Sequence, residues 1–165
     1  MKTHCNYFFM ALLLILSSCI GSDDDDPVSY VAVGDRLPEF SVELSDGTVV
    51  STQTLRGCAA LIVFFNTDCP DCRRELPEIE RLQEMNPAVT IVCIAREESA
   101  EKIAAYWAEA GLTLPYSPQP DRRIFNLFAS SGIPRLYIAD GQGTVTAVFG
   151  DTDYPTAEQL ARLIP

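Results

Sequence analysis

The chain has 165 residues, of which 47% are hydrophobic, and its formal net charge is −11 at neutral pH. This length suits one ordinary domain and is too short for two comfortable ones. The acidic excess argues against a nucleic-acid partner, because affinity for phosphates comes mainly from lysine and arginine.

The first 18 residues have the pattern of a secretory signal peptide. Lys2 supplies a positive charge, and residues 7–16 carry no charge, a run too short to span a bilayer but suited to a signal peptide. The next residues are small and end at Cys19, which resembles a bacterial lipobox, whose cysteine becomes the lipid-modified first residue. Removal of 1–18 takes away His4, the only histidine, and so excludes imidazole as base or metal ligand in the mature chain.

Residues 19–27 are expected to form a lipidated acidic tether, followed by a folded domain over 28–165. Four consecutive aspartates, Asp23 to Asp26, repel one another and cannot pack into a core. An acidic run directly after a lipidated cysteine also resembles a surface-export signal of some Gram-negative lipoproteins. The periplasm and the cell surface therefore both remain open as locations.

The domain opens with a predicted β-hairpin, since residues 40–44 and 48–50 alternate weakly around the turn signal Asp46-Gly47. A continuous apolar run over 59–65 then predicts a strand that is covered on both faces.

After this strand the spacing of apolar residues predicts a helix. The residues on its predicted buried face are Cys72, Leu76, Ile79, Leu82 and Met85. Pro77 lies inside the helix and predicts a kink, and Asn86-Pro87 predicts its end.

A second buried strand is predicted over 89–95, and Ser99 is the predicted N-cap of the next helix. That helix is expected to bury Ile103, Tyr106, Trp107 and Ala110 and to end at Gly111. Three prolines within 114–120 predict a loop.

The last third of the domain predicts a short helix over 121–128, a turn over 131–134, a hairpin formed by 136–139 and 144–149, and a terminal helix over 156–164. Strands and helices in this order indicate an α/β domain with a mixed central sheet flanked by helices.

Two neighbouring cysteines, Cys69 and Cys72, are the strongest functional signal. Cys69 falls at the predicted start of a helix, where free N–H groups and the helix dipole stabilise a thiolate. Cys72 follows one turn later, close enough to form a disulfide with it. The first sulfur can then attack a substrate disulfide and the second can resolve the mixed intermediate. A fixed disulfide or half of a metal site are the alternatives.

The other two cysteines of the domain, Cys58 and Cys93, are interpreted as small apolar residues at the start and middle of hydrophobic strands. A bridge between them has no support in the sequence. A four-cysteine zinc site is disfavoured because the chain has one CxxC pair rather than two.

The segment Phe64-Phe65-Asn66-Thr67-Asp68-Cys69-Pro70-Asp71-Cys72-Arg73-Arg74-Glu75-Leu76-Pro77 resembles the active-site segment of TlpA/ResA-type thiol–disulfide oxidoreductases. These are membrane-anchored, exported members of the thioredoxin superfamily. The resemblance covers about residues 28–165 and implies a thioredoxin-like fold with an N-terminal β-hairpin and an inserted helix. It also implies a cis-proline opposite the CxxC motif, matched by Pro134, and a preceding residue, Ile133, that pairs with substrate backbone.

The chain departs from this family just before the first cysteine, where Asp68 stands in place of the usual tryptophan. Asp68 and Asp71 are expected to flank the nucleophile and to disfavour its thiolate, with Arg73 and Arg74 offsetting part of that charge. We therefore predict a reducing cysteine pair rather than a strong oxidant, since strong oxidants have a very stabilised thiolate.

A second departure concerns proton transfer. Thioredoxin has a buried aspartate where this chain has Val63, and Glu75 is a candidate to replace it. The alternative is that Glu75 is an ordinary solvated helix residue.

The resemblance implies no cofactor apart from the redox-active disulfide Cys69–Cys72, and no metal. The expected partners are exported proteins with disulfides, a membrane thiol-electron transporter or another thioredoxin-like reductant, and the membrane through the lipid anchor. One alternative is a peroxiredoxin-like thiol peroxidase, although its Thr-x-x-Cys spacing is absent because Thr67 lies two residues before Cys69. Others are a metallochaperone, which would lack a histidine ligand, and a non-catalytic binding module on the same fold.

Overall fold

The computed structural model describes residues 28–165, so the predicted signal peptide and tether lie outside the described residues. The centre of the fold is a strand of six buried apolar residues, β3 (Ala60–Phe65), because no polar side chain there needs solvent. The strands are β1 (Ser41–Glu43), β2 (Val49–Ser51), β3 (Ala60–Phe65), β4 (Thr90–Ala95), β5 (Tyr116–Ser117), β6 (Arg135–Ala139) and β7 (Val145–Phe149).

Five of these strands form a mixed sheet in the order β5-β4-β3-β6-β7. β3 pairs parallel with β4 and antiparallel with β6, with Phe65 opposite Ala95 and Phe64 opposite Arg135. The parallel pair requires a crossover, and the helix after β3 supplies it. The carboxyl ends of β3 and β4 therefore lie side by side, and the CxxC motif follows directly after the carboxyl end of β3.

Three helices complete the domain: α1 (Pro70–Met85), α2 (Ala100–Ala110) and α3 (Ala157–Leu163). Glu78 in α1 accepts a 2.8 Å hydrogen bond from the Ala157 amide at the start of α3, which ties α3 to the helix that carries the cysteines. Trp107 of α2 packs 5.0 Å from the Phe65 ring and donates a 2.8 Å hydrogen bond to the Leu114 carbonyl.

The core beside the sheet is an aromatic cluster. Phe64 lies 5.4 Å from Phe125, 4.9 Å from Phe128 and 6.3 Å from Tyr137, measured between ring centroids. Tilted and edge-on contacts at these distances are the preferred geometry of aromatic pairs. They anchor the segment before β6 against the central strand.

The structure confirms the predicted α/β order, the hairpin β1–β2, the buried strands β3 and β4, and the hairpin β6–β7. The N-cap of α2 at Ser99 and its end at Gly111 are also confirmed, since Ser99 accepts from the Lys102 amide and Gly111 has a left-handed φ of 68°.

Several local predictions are corrected. Met85 and Ala110 are exposed rather than buried, because each lies at a helix end beyond the edge of the core. The segment 114–120 contains the short strand β5, which pairs with β4 through Cys93 and Ile94. The helix expected over 121–128 is reduced to one 3-10 turn, Phe125–Leu127, where ring packing of Phe125 outweighs helix propensity.

Pro77 lies inside α1, which runs from Pro70 to Met85 and ends at Asn86, as predicted. Proline has no N–H, so the Arg73 carbonyl loses its usual donor one turn earlier. The Tyr106 hydroxyl of α2 lies 3.4 Å from that carbonyl oxygen and donates to it.

Within residues 28–165, every helix is too short or too polar to cross a bilayer.

Candidate active site

The turn between β3 and α1 places Cys69 at the start of a helix. Cys69 is the N-cap of α1, with extended backbone angles, and Pro70 occupies the first helical position. The Cys69 Sγ accepts a 3.3 Å hydrogen bond from the Cys72 amide. A sulfur at this position faces the free N–H groups and the positive end of the helix dipole, which favour a thiolate.

The two cysteines differ in exposure. Cys69 is partly exposed, whereas Cys72 is completely buried, and neither forms a disulfide within the part of the chain that the structure describes. Burial, and secondarily the neighbouring Cys69, raise the pKa of Cys72 far above its ordinary value. One accessible sulfur and one shielded sulfur a turn apart form the arrangement expected for attack followed by resolution.

The loop before β6 faces this helix end. The Ile133–Pro134 peptide bond is cis, and the Cys69 thiol donates to the Ile133 carbonyl oxygen at 3.4 Å. Cys69 and Ile133 are 64 positions apart in the chain, so only the tertiary fold brings them into contact.

Arg135 holds this loop and was missed by sequence reasoning. Its side chain is 3% exposed, and its guanidinium donates to the Gly132 carbonyl at 3.3 Å and the Ser131 carbonyl at 3.0 Å. A charged residue at the start of a predicted strand gives no local signal that it is buried, so the sequence did not indicate this role.

Each of the two flanking carboxylates lies at the site, paired with a cation. Asp68 makes an ion pair with Lys102 of α2, and Asp71 lies 3.7 Å from Arg74. Arg73, expected to offset acidic charge, instead donates to the Thr67 carbonyl and lies over the Tyr106 ring. Asp68 and Asp71 therefore each have a cation beside them at the surface.

Glu75 is buried, with 2% exposure, so its interpretation as a solvated helix residue is wrong. Burial, and then the nearby Glu78, raise its pKa to about 7, against a smaller lowering by Arg74. Its Oε1 atom is buried without a hydrogen-bond partner among residues 28–165. Residues three apart on a helix share a face, so Glu75 lies on the same side of α1 as Cys72.

Cys58 and Cys93 lie away from this site. Cys58 is exposed and precedes β3, which corrects its prediction as an apolar strand residue. Cys93 is buried within β4, as predicted, and burial raises its pKa to about 12. Among the described residues, no group of three or more histidine, cysteine or acidic side chains is arranged to hold a metal ion.

Curated proteins that are similar to this chain include one named as a peroxiredoxin and several named as thiol-disulfide oxidoreductases. A Mycobacterium tuberculosis protein provisionally named a peroxiredoxin is 26% identical over 118 residues, which cover 70% of this chain and 75% of that protein. The thiol-disulfide oxidoreductase ResA of Bacillus subtilis is 23% identical over 147 residues, which cover 86% of this chain and 82% of ResA.

A solved Bacteroides thetaiotaomicron protein, provisionally named a protein disulfide isomerase, is 30% identical with a TM-score of 0.72, over 82% of this chain and 87% of that one. A thiol:disulfide interchange protein of the thioredoxin family from Chlorobium tepidum is 26% identical with a TM-score of 0.68, over 80% and 94%. The predicted thioredoxin-like fold and the resemblance to ResA-type enzymes are thereby confirmed.

Residues 33–148 match the AhpC/TSA family. This match covers most of the domain, including the helix that carries both cysteines and the loop with the cis-proline. The chain therefore belongs to the AhpC/TSA family and is a thiol–disulfide oxidoreductase with a thioredoxin-like fold.

Proposed function

We propose that this protein is an extracytoplasmic, lipid-tethered enzyme that reduces disulfide bonds in exported proteins. One observation carries the proposal: the partly exposed Cys69 sulfur lies at the start of α1, 3.4 Å from the Ile133 carbonyl oxygen, with buried Cys72 one turn behind it. A substrate strand paired with Ile133 would bring its own disulfide to the Cys69 sulfur.

The reaction transfers two electrons from the cysteine pair to the substrate. The Cys69 thiolate attacks one substrate sulfur, the substrate S–S bond breaks, and the released sulfur takes up a proton. Cys72, once deprotonated, attacks the Cys69 sulfur and releases the second substrate thiol. The products are a reduced substrate and a Cys69–Cys72 disulfide, which a thiol-bearing membrane transporter or another thioredoxin-like protein must reduce again.

Glu75 is proposed as the group that assists deprotonation of Cys72. Because burial raises the pKa of Cys72, its thiol needs a nearby acceptor before it can attack. Glu75 has a pKa raised to about 7, so near neutral pH it can both take and return a proton.

The location belongs to the same proposal. Residues 1–18 are proposed as a lipoprotein signal peptide, Cys19 as the lipidated residue and 19–27 as the acidic tether that carries the domain over 28–165. An enzyme anchored in this way would meet disulfides that form outside the cytoplasm.

The first test is reduction of insulin disulfides with dithiothreitol as the electron source. The wild-type chain should accelerate insulin precipitation, and Cys69→Ser should lose this activity entirely. Cys58→Ser is the matched control, since Cys58 is exposed and lies outside the site. Equal activity of wild type and Cys69→Ser would overturn the proposal.

A thiol peroxidase is the second candidate, favoured by the family match and by the relative named as a peroxiredoxin. The local geometry disfavours it, because the Thr67 hydroxyl lies two residues before Cys69 and is engaged by Glu98. Peroxide consumption that is lost in Cys69→Ser would promote this candidate. A chain inactive in both assays would instead be a non-catalytic binding module.

The substrates can be captured with Cys72→Ala. This variant keeps the nucleophile but lacks the resolving thiol, so mixed disulfides with Cys69 should accumulate in the native cell envelope. Exported disulfide-bearing proteins are the expected catch, and Cys69→Ser/Cys72→Ala is the control that should trap none.

A further inference from the structure

The segment before Cys69 is held by a carboxylate from the loop after β4. Glu98 has 1% of its side chain exposed. One of its oxygens accepts a 2.8 Å hydrogen bond from the Thr67 amide, and the other accepts from the Thr67 hydroxyl. Thr67 is thus fixed through both its backbone and its side chain, two positions before the nucleophile.

Lys102, in the first turn of α2, contacts both this buried carboxylate and the one beside Cys69. Its Nζ lies 3.4 Å from the Glu98 Oε1 and forms an ion pair with Asp68. The hydrogen bond that Lys102 donates to Asp68 raises the pKa of Lys102, so the ammonium stays charged near neutral pH. One cation therefore links the loop after β4, α2 and the turn before α1.

The position of Lys102 is not explained by the stability of its own helix. A cation in the first turn of a helix meets the positive end of the helix dipole and is unfavourable there. Its favourable contacts are instead with Asp68 and Glu98, outside the regular turns of α2.

The contact of Lys102 with Asp68 and Glu98 affects the balance of charges around Cys69. Without Lys102, the Asp68 carboxylate would repel a thiolate at the adjacent residue, and the buried Glu98 carboxylate would have no cation among residues 28–165. On the other side of the nucleophile, Asp71 already has Arg74 at 3.7 Å. With Lys102 in place, the two carboxylates that flank Cys69 in the chain, Asp68 and Asp71, each contact a cation.

We propose that Lys102 is a positioning residue of the redox site, which neutralises Asp68 and holds Glu98 and so keeps the Cys69 thiolate reactive near neutral pH. This inference rests on the proposed role of Cys69 as nucleophile. It also explains how the chain accommodates an aspartate where ResA-type relatives usually have tryptophan.

The test is the pH dependence of iodoacetamide labelling of Cys69 in the reduced full chain, assigned by peptide fragmentation in a mass spectrometer. Lys102→Gln should slow labelling at pH 7 by about threefold and move the profile to higher pH. Lys102→Arg should restore the wild-type profile, and Asp68→Asn should speed labelling by about threefold. When Asp68 is already replaced by asparagine, Lys102→Gln should slow the labelling of Cys69 by less than half as much as it does in the wild-type chain.

The equilibrium with glutathione gives a second measurement. A less stable thiolate makes the pair easier to oxidise, so Lys102→Gln should shift the equilibrium constant about threefold toward the Cys69–Cys72 disulfide. Arg56→Gln is the charge-matched control, since exposed Arg56 lies before β3, at the opposite end of that strand from Cys69. It should leave both measurements unchanged.

The proposal is overturned if Lys102→Gln behaves like Arg56→Gln, if Lys102→Arg does not restore the profile, or if the effect of Lys102→Gln is equally large without Asp68. Labelling of Cys69 requires no substrate. A chain that fails to reduce insulin would therefore refute the proposed function and still leave the role of Lys102 measurable.

Discussion

Burial gives Glu75 and Cys72 of α1 protonation behaviour that differs from that of exposed groups of the same type. Both side chains lie against the core, and burial is the largest cause of the raised pKa in each. A charged form in such a place loses its hydration without a compensating partner, so the neutral form is favoured. Since the raised pKa of Glu75 lies near 7, pH is a direct probe of this residue.

The stability of the protein should fall as pH rises through the range set by Glu75. The native pKa is about 7, above the ordinary value of 4.5, so the folded chain binds a proton that the unfolded chain has already released between these values. Glu75→Gln removes this titration, so its stability relative to wild type should rise by about 2–3 kcal/mol from pH 4 to pH 8. Urea unfolding at several pH values measures the difference.

The control for this prediction is Glu84→Gln, an exposed position on the same helix. It should show the wild-type dependence on pH. A constant difference between Glu75→Gln and wild type across the whole range would contradict a buried, neutral carboxyl at this position.

The four cysteines of the domain should react in two groups. In the folded, reduced protein, iodoacetamide at pH 8 should label Cys58 and Cys69 within minutes, because both are at least partly exposed. Cys72 and Cys93 should stay unlabelled, since burial raises the pKa of each thiol. Mass spectrometry before and after addition of guanidinium checks this, and labelling of Cys72 as fast as Cys69 would contradict the observed burial.

The elements around the site are tied together by a few polar contacts. α3 is a short helix that supports α1 through the Glu78–Ala157 hydrogen bond and an Arg81–Glu158 ion pair. The loop before β6 is likewise held by the buried guanidinium of Arg135. Loss of either set of contacts should lower the free energy of unfolding.

Arg135→Lys should destabilise the protein by about 2 kcal/mol, because one ammonium cannot reproduce two guanidinium hydrogen bonds to loop carbonyls. Insulin reduction should fall as well, since Ile133 and Pro134 lie in the loop that these bonds hold. Arg36→Lys is the control, an exposed arginine that bonds the Gln142 carbonyl in a distant turn. An Arg135→Lys variant as stable as wild type would show that the loop needs no such support.

Thr156→Ala should cost about 1 kcal/mol of unfolding free energy through loss of the N-cap of α3. Thr156 and Gln159 form a reciprocal capping box, with hydrogen bonds of 3.3 and 2.8 Å. Thermal or chemical unfolding measures the loss, with Thr152→Ala at an exposed neighbouring position as the control. Equal stability of the two variants would refute the role of the cap.

The whole chain combines a redox domain with a proposed lipid anchor, and the anchor can be tested separately. In a Gram-negative host, the wild-type chain should incorporate labelled palmitate and sediment with membranes, because each buried acyl CH₂ contributes about 0.8 kcal/mol of membrane affinity. Cys19→Ala should lose the label, and Cys5→Ala should retain it. Palmitate labelling of Cys19→Ala would refute the lipobox.

The order of strands and helices was predictable because its signals are local. The apolar run of β3, the cap at Ser99 and the left-handed Gly111 each depend on a few consecutive residues. The predictions failed where a long-range contact competed with a local preference. Phe125 packs on Phe64 instead of continuing a helix. β5 forms because the backbone of β4 provides hydrogen-bond partners along its free side.

Two features could be seen in the linear order of residues. One is the acidic balance, which argues against a nucleic-acid partner. The other is the pairing of Cys69 with Cys72, since residues three apart lie one helical turn apart. The burial of Glu75 and the contact of Lys102 with Asp68 and Glu98 could not be seen there. Lys102 and Asp68 are 34 positions apart, and their pairing depends on how α2 packs against the turn before α1. Charge compensation and desolvation are properties of such packed neighbours, and they set the chemistry of the cysteine pair.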